Sequence, residues 1–467
     1  MKNFFLNPWG RAGLAATALL LNACAPGQDV PTPTASINVR HYLAVGDSYT
    51  AGYSAGGLTR TGQEYSFPNL LARQLRGATP EATFTQPLLE AGTGTGYLDL
   101  VGFTAAGFPR ARRVVGQAVR GTIIDPNACA GPDTVRLFAR SASASILPQN
   151  LGVPGLRLTQ IETTDLGNET PATAGAEFNP YFERLLPAAD SRTYLRAVTD
   201  AAATATFFTY FQGIDDLMPY VRSGGQCGPL PNSTFTNQLK LNAKNILDHL
   251  AANGRPGIIA KLPALTTLPL LRLGKGSDLE ARLRTSFGDT ASIYIEGPFN
   301  STQAQVITGG DYVLATALTR VGQLTPVQVG GITQMLPYGR NIRNPLRDAD
   351  VLDNDELGRI VNVLNNYNNY LDALATTTYK MPVIDTRGFS TLDLDLTVFD
   401  QVASVISVGG VQYSSEPVRG NFYSLDYYSL TPRGNGLLAN AFITAFNKAY
   451  RANLPVVDVN SLPTTVR

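Results

Sequence analysis

Histidine is nearly missing from this chain: among 467 residues there are two, His41 and His249. Chemistry that needs an imidazole therefore has only two places to draw it from. Cysteine is scarce as well, with Cys24, Cys129 and Cys227. Neither Cys129 nor Cys227 has a neighbouring His or Cys at the spacing of a metal site. Excess charge is also lacking. The 37 Lys and Arg against 36 Asp and Glu leave a formal net charge of +1, with no block of like charges. Nothing global steers the protein toward nucleic acid or an anionic surface. A long apolar run is absent too, since the stretch from Leu14 to Leu21 is too short to span a bilayer. No fixed-period repeat is visible.

What is present is ample apolar content, 44% hydrophobic against 16% charged. That is enough for a sizeable core and argues against disorder. With 44 Gly, 30 Pro, 20 Tyr and 20 Phe, the expectation is a compact domain carrying long decorated loops.

The first 24 residues, "MKNFFLNPWGRAGLAATALLLNAC", read as an export signal. They end in "LNAC", which resembles a bacterial lipobox. The resemblance implies that Cys24 is lipidated and becomes the mature N-terminus. The alternative is an ordinary signal peptide cut near Ala23. "APGQDVPTPTAS" then opens a Pro-rich tether, residues 25–39. The chain is thus expected to be exported and lipid-anchored to a bacterial membrane, the outer one, facing the periplasm or the cell surface. An oxidising compartment permits a bridge between Cys129 and Cys227, but sequence cannot supply the geometry.

Residues 40–467 read as one α/β domain. "RHYLAVGDSYTAGY" is a buried strand running into a loop, and "SFPNLLARQLRG" a short helix. "TFFTYFQGIDD" is a second strand ending in a polar turn. "TFTNQLKLNAKNILDHLAANG" is a helix with Leu239, Ala243, Ile246, Leu247 and Leu250 on one face, and "PGIIAKLP" is the next strand. Strand, helix, strand at these lengths is a βαβ unit and implies a parallel sheet. A long helix over "DNDELGRIVNVLNNYNNYLDALATT", a short strand in "MPVIDTRG" and a closing helix from Pro432 complete the domain. Irregular insertions are expected near 80–150 and 270–345.

Ligands of open parallel sheets sit outside the carboxyl ends of the strands. The polar segments expected there are "GDS" (46–48), "NLGVPG" (150–155) and "GIDD" (213–216), joined by "DYYS" (426–429). These four blocks in order, with "FPNLLARQL", "GTGTGYLDL" and "VVDVNSLP", resemble the SGNH, or GDSL-type, hydrolase family. They are closest to its Bacteroidetes-like lipoprotein members, and the likeness covers most of residues 40–460. It implies a three-layer α/β/α sandwich around a parallel sheet, close to flavodoxin-like. It places Ser48 where the family has its nucleophile and Gly155 at an oxyanion donor. Asp215 falls where the family has the oxyanion Asn. Asp426 matches the acid that orients the base, and Ser429 stands where the family has the catalytic His.

Two altered positions have chemical consequences. A serine hydroxyl is a weak nucleophile unless a base takes its proton. Ser429 cannot do so near neutral pH, and a carboxylate such as Asp426 is a weak base with a reference pKa of about 3.9. Loss of the base costs roughly a million-fold in turnover in comparable serine hydrolases. An oxyanion hole needs donors, and loss of one costs about 3–4 kcal/mol. An ionised Asp215 has none to give. His41 opens the strand that ends at Ser48, so about seven residues of strand place it roughly 23 Å away. His249 lies near the end of a helix that runs back from the active edge. Lys261 would serve as a base only if strongly desolvated.

Two functions follow from the resemblance. One is a serine ester hydrolase acting on acyl esters, lipids or acetylated glycans. The other is a pseudo-hydrolase that keeps the cleft for binding a glycan, lipid or protein. Neither calls for a cofactor. Asp47, Asp215, Asp216 and Asp426 are expected to converge, and carboxylates that close can hold a hard cation. The expectation is instead that they accept from backbone amides and helix N-termini, with no metal. "GTGTGY" (92–97) is read as a loop of unusual backbone angles rather than a phosphate loop, and the aromatics of "YNNYLDAL" as packing residues. Oligomeric state is not readable.

Overall fold

The computed structural model describes residues 34–466 except 106, 126–127, 130, 142–145, 170–177, 189, 289–291, 298–300 and 386–404. The signal segment with Cys24, and the tether up to residue 33, lie outside the described residues. Among those described, no helix is long and apolar enough to cross a membrane.

Short, largely apolar segments build the centre, with Asn150 and Thr209 as buried polar exceptions. The segments are β1 (Tyr42–Gly46), β2 (Asn150–Gly152), β3 (Phe207–Phe211), β4 (Gly257–Ala260) and β5 (Val383–Ile384). The first four are buried at every position, as strands covered on both faces must be. All pair in parallel, with Ala44 beside Asn150, Tyr42 beside Phe207, Phe208 beside Gly257 and Ile259 beside Val383. The order across the sheet is β5-β4-β3-β1-β2. The protein is a mixed α/β fold on a five-stranded parallel sheet, and Pro33–Arg467 forms one compact unit.

Six helices accompany the sheet: α1 (Phe67–Ala78), α2 (Tyr194–Ala202), α3 (Ile214–Arg222), α4 (Ser233–Leu250), α5 (Asn354–Ala373) and α6 (Pro432–Tyr450). Their starts follow local chemistry. Asn232 caps α4 through Phe235 N–H, Asp353 and Glu356 form a capping box on α5, and Thr431 caps α6 just ahead of Pro432. The helices α1 and α6 pack on each other, with Phe67 and Phe442 stacked at 4.5 Å between ring centres. On α4 pack both α2 and α5. Tyr367 of "YNNYLDAL" is fully buried and donates to Gln212 O at 3.0 Å, as its reading as a packing residue requires.

Two expectations need correction. "GIDD" is no simple turn, because Ile214 begins α3 and both aspartates lie in its first turn. Nor are the insertions irregular. Between 80 and 150, Gly96–Phe103 pairs with Pro109–Val115 and Val119–Asp125 with Asp133–Phe138, both antiparallel. Between 270 and 345, Tyr294–Gly297 pairs with Ser301–Val306 and Leu324–Val329 with Ile332–Pro337, beside a helix over Gly276–Phe287. These hairpins pair locally and leave much of their side-chain surface in solvent, so they carry polar and basic residues where a core strand carries apolar ones. Gly92, Gly94 and Gly96 of "GTGTGY" all have positive φ, as that reading requires.

Cys129 and Cys227 are joined in a disulfide, their Cα atoms 5.6 Å apart. The bridge ties the turn between Asp125 and Asp133 to the segment after α3.

Phe207 shows how the helices hold the sheet. It is fully buried, with its ring edge-on to Phe446 at 5.3 Å and to Tyr450 at 6.2 Å. Replacing it by alanine is expected to cost about 3–5 kcal/mol, since the vacated volume cannot collapse between strand and helix. Urea denaturation of Phe207→Ala against the parent measures this.

Candidate active site

Three strand ends meet at the carboxyl edge of the sheet. β1 ends at Gly46, where an added Cβ would lie 2.1 Å from Thr50 Oγ1 and 2.2 Å from Phe211 O. Only glycine lets the chain turn there against β3. Asp47 follows, and Ser48 opens a single helical turn, Ser48–Ala51. Asp47 Oδ2 accepts from Gly213 N at 2.8 Å and Ile214 N at 3.0 Å. It thereby caps α3 across the sheet and fixes the residues that come next, Asp215 and Asp216. Gly213, at φ 123, makes the bend into α3. Gly155, at φ 72, turns the chain after β2 so that its N–H faces Ser48.

These constraints converge on one oxygen atom. Asp215 Oδ2 lies 2.5 Å from Ser48 Oγ, 3.1 Å from Ser48 N and 2.8 Å from Gly155 N. The two backbone N–H groups form a small cradle of the kind that holds an oxyanion, and the carboxylate oxygen of Asp215 fills it. Asp215 accepts where the amide of an asparagine would donate. Burial pushes its carboxyl up, while the bonds from Ser48 and Gly155 and the charge of Arg222 pull the other way. Asp47 is pushed further, by burial and then by the charge of Asp215, and its Oδ1 has no hydrogen-bond partner.

A lid closes over Ser48, which is 1% exposed. Tyr428 O–H reaches Ser48 Oγ at 3.4 Å, and the Arg222 guanidinium sits 4.4 Å from the centre of the Tyr428 ring. Tyr427, a non-glycine residue at φ 68, makes the bend that delivers Tyr428. Burial raises the Tyr428 phenol well above its ordinary value, so it stays protonated and cannot act as a base near neutral pH.

Asp426 and Ser429 form a separate network. Asp426 Oδ1 accepts from Ser424 Oγ at 3.0 Å, Tyr428 N at 3.2 Å and Ser429 N at 2.9 Å. Its Oδ2 accepts from Gly56 N at 2.7 Å and Ser429 Oγ at 2.5 Å. Ser429, fully buried, also shares a hydrogen bond with Ser424 Oγ at 2.8 Å. Nothing among the described residues hydrogen-bonds Ser429 to Ser48.

The structure thus brings Ser48, Gly155 and Asp215 together and keeps Asp426 with Ser429. The four aspartates do not converge on a common point as expected. Asp47 caps α3, and Asp216 turns away to accept from Leu158 N at 2.7 Å and Thr159 N at 3.3 Å. No group of carboxylates, histidines or cysteines among the described residues is placed to hold a metal ion. Both histidines lie at the opposite edge. His41 O accepts from Thr206 N just before β3. Arg255, just before β4, donates from Nη1 to His249 O at 3.1 Å and from Nε to Ala205 O at 2.7 Å. Lys261 is paired with Asp385 at 2.5 Å. Tyr428, Arg222 and Ser424 were not singled out from the sequence. Tyr428 had a signal, since it directly precedes Ser429, whereas Arg222 enters only because α3 ends over the site. Comparison with protein-family models, with curated proteins and with solved structures finds no match to this chain.

Burial pushes Asp216 up to about 7 against the pull of the Leu158 and Thr159 amides. A carboxyl raised in the fold favours its neutral form there, so its contribution to stability is full below the unfolded value of about 3.9 and is lost as pH rises through about 7. Glu356, raised to about 7 chiefly by burial, acts with the same sign. The urea midpoint is therefore expected to fall between about pH 4 and pH 7, and to fall less in Asp216→Asn.

Proposed function

We propose that this chain is a pseudo-hydrolase of the SGNH, or GDSL-type, hydrolase family, exported and lipid-anchored through Cys24, in which the hydrolytic centre is plugged by its own aspartate. Its role is then to bind a glycan, lipid or protein rather than to cleave an ester. The strand order β2-β1-β3-β4-β5 is one of the two common doubly wound orders. The separate helix groups, α1 with α6 and α2 with α4 and α5, fit a three-layer α/β/α sandwich. Ser48, Gly155 and Asp215 follow β1, β2 and β3, where such folds change direction and bind their ligands.

The observation that carries the reading is the seat of Asp215 Oδ2 on Ser48 N and Gly155 N. A substrate carbonyl would need that place, and a carboxyl oxygen of the chain already holds it. The bond that Ser429 would make to Ser48 as a base is missing, and its hydroxyl is committed to Asp426. The 2.5 Å contact between Ser48 Oγ and Asp215 Oδ2 favours a second reading, a serine esterase with Asp215 as base. That reading requires one oxygen to act as base while vacating the cradle for substrate.

The two readings separate on covalent chemistry at Ser48. The pseudo-hydrolase is expected to turn over p-nitrophenyl acetate and butyrate at background rate and to leave Ser48 unmodified by a fluorophosphonate near neutral pH. Turnover or labelling that disappears in Ser48→Ala overturns it. Asp215→Asn combined with Ser429→His, which empties the cradle and supplies an imidazole beside Asp426, is expected to raise ester turnover at least about tenfold, a change of about 1.4 kcal/mol in barrier.

A further inference from the structure

A second place in the molecule holds a charge with no counter-charge. Arg184 directly follows the short helix Pro180–Glu183 and is 2% exposed. Its Nη2 donates to Pro87 O at 2.9 Å, and its Nε has no hydrogen-bond partner. No carboxylate among the described residues pairs with it. The neighbouring arginines are provided for: Arg120 meets Glu169 at 2.9 Å and Glu183 at 2.8 Å, and Arg140 meets Glu183 at 3.2 Å. Glu183 is thus shared between two guanidinium groups, and Arg184 is left over. A buried, unpaired guanidinium is costly, so such groups are normally matched by an anion. Burial alone is strong enough here to pull Arg184 down to about 10.

Arg184 lies in the wall of a cavity of about 740 Å³, which is within the usual size range of small-molecule sites. Arg140, Gln117 and the exposed Glu90 share that wall, and Leu88, Leu89 and Ala118 give it an apolar side. The Gln117 amide is held in place by Nε2 donating to Ala91 O at 2.7 Å. Gln63 Nε2 also donates to Pro87 O, at 2.8 Å, and fixes the carbonyl on which Arg184 rests. The guanidinium is therefore anchored through Nη2 with its Nε–H unpaired, in a wall that also holds a second arginine and apolar side chains.

We infer that this cavity is a binding site for a small organic oxyanion, a carboxylate or phosphate monoester with an apolar body, whose charged head pairs with Arg184. Arg140 shares the wall with its own charge already met by Glu183, and Leu88, Leu89 and Ala118 receive the apolar portion. A planar guanidinium suits both head groups, since each offers two oxygens to its fork. The site is separate from Ser48 and stands whether or not the centre there is silent.

Calorimetric titration of the full chain with hexanoate and with hexyl phosphate at low salt tests this, with acetate and inorganic phosphate as heads lacking a body. At least one of the six-carbon ligands is expected to bind ten or more times tighter than its short counterpart, and the tighter of the two identifies the head group. Arg184→Met is expected to weaken that binding at least tenfold. Ala118→Trp, which fills the cavity and leaves Arg184 in place, is expected to abolish it, so the result does not depend on the folding of one variant. Absence of binding by both six-carbon ligands overturns the proposal. So does binding that persists in Arg184→Met or Ala118→Trp, and so does a short anion that binds as tightly as its longer counterpart.

Discussion

One carboxylate oxygen organises the carboxyl edge of the sheet. Asp215 Oδ2 receives the hydroxyl and the amide of Ser48 and the amide of Gly155, so it joins the ends of β1, β2 and β3 at a single point. A parallel sheet of this kind presents backbone donors at the end of its strands, and donors that are buried must be satisfied. In many such folds the satisfying group arrives with the ligand. Here the chain supplies it, and α3 is held by Asp47 in the position that makes this possible. Burial, which raises the Asp215 carboxyl, is opposed in part by three donor contacts and the charge of Arg222.

The Asp426 loop follows the same logic. Five donor contacts converge on this carboxylate, two of them from Ser429. The serine has a structural part, because its hydroxyl closes a network with Ser424 and Asp426 that holds the backbone of 424–429 in shape. That loop in turn carries Tyr428 over Ser48. Asp215 and Ser429 are therefore mutually consistent: one fills the cradle, and the other stabilises the cover above it.

Much of this was legible in the residues. The buried strands were largely apolar runs because both their faces are covered, and the long helices declared themselves through apolar spacing and caps. The position of Ser48 at a strand end, and the remoteness of His41 and His249, followed from strand and helix direction alone. Two things were not legible. The hairpins of 80–150 and 270–345 bury only a few residues, such as Leu137, Phe138 and Ile295, and strands such as Val119–Asp125 carry little apolar signal. The second was what Asp215 does. Sequence gave the loss of a donor, but that the carboxylate would turn into the cradle depends on the ends of three strands separated by long stretches of chain. Arg184 was equally silent, since an arginine without a partner is recognisable only once every neighbour is known.

The bridge between Cys129 and Cys227 joins residues 98 apart in sequence. On the chain-entropy account, closing a loop of that length withholds about 4–5 kcal/mol of freedom from the unfolded chain. Cys129 lies in the turn between Asp125 and Asp133, and Cys227 lies beyond the end of α3 at Arg222. A thiol reductant would thus loosen the outer rim, including the stretch downstream of Arg222, before it disturbed the interior. Redox conditions would grade the molecule from the outside inward, with the sheet the last part to register the change.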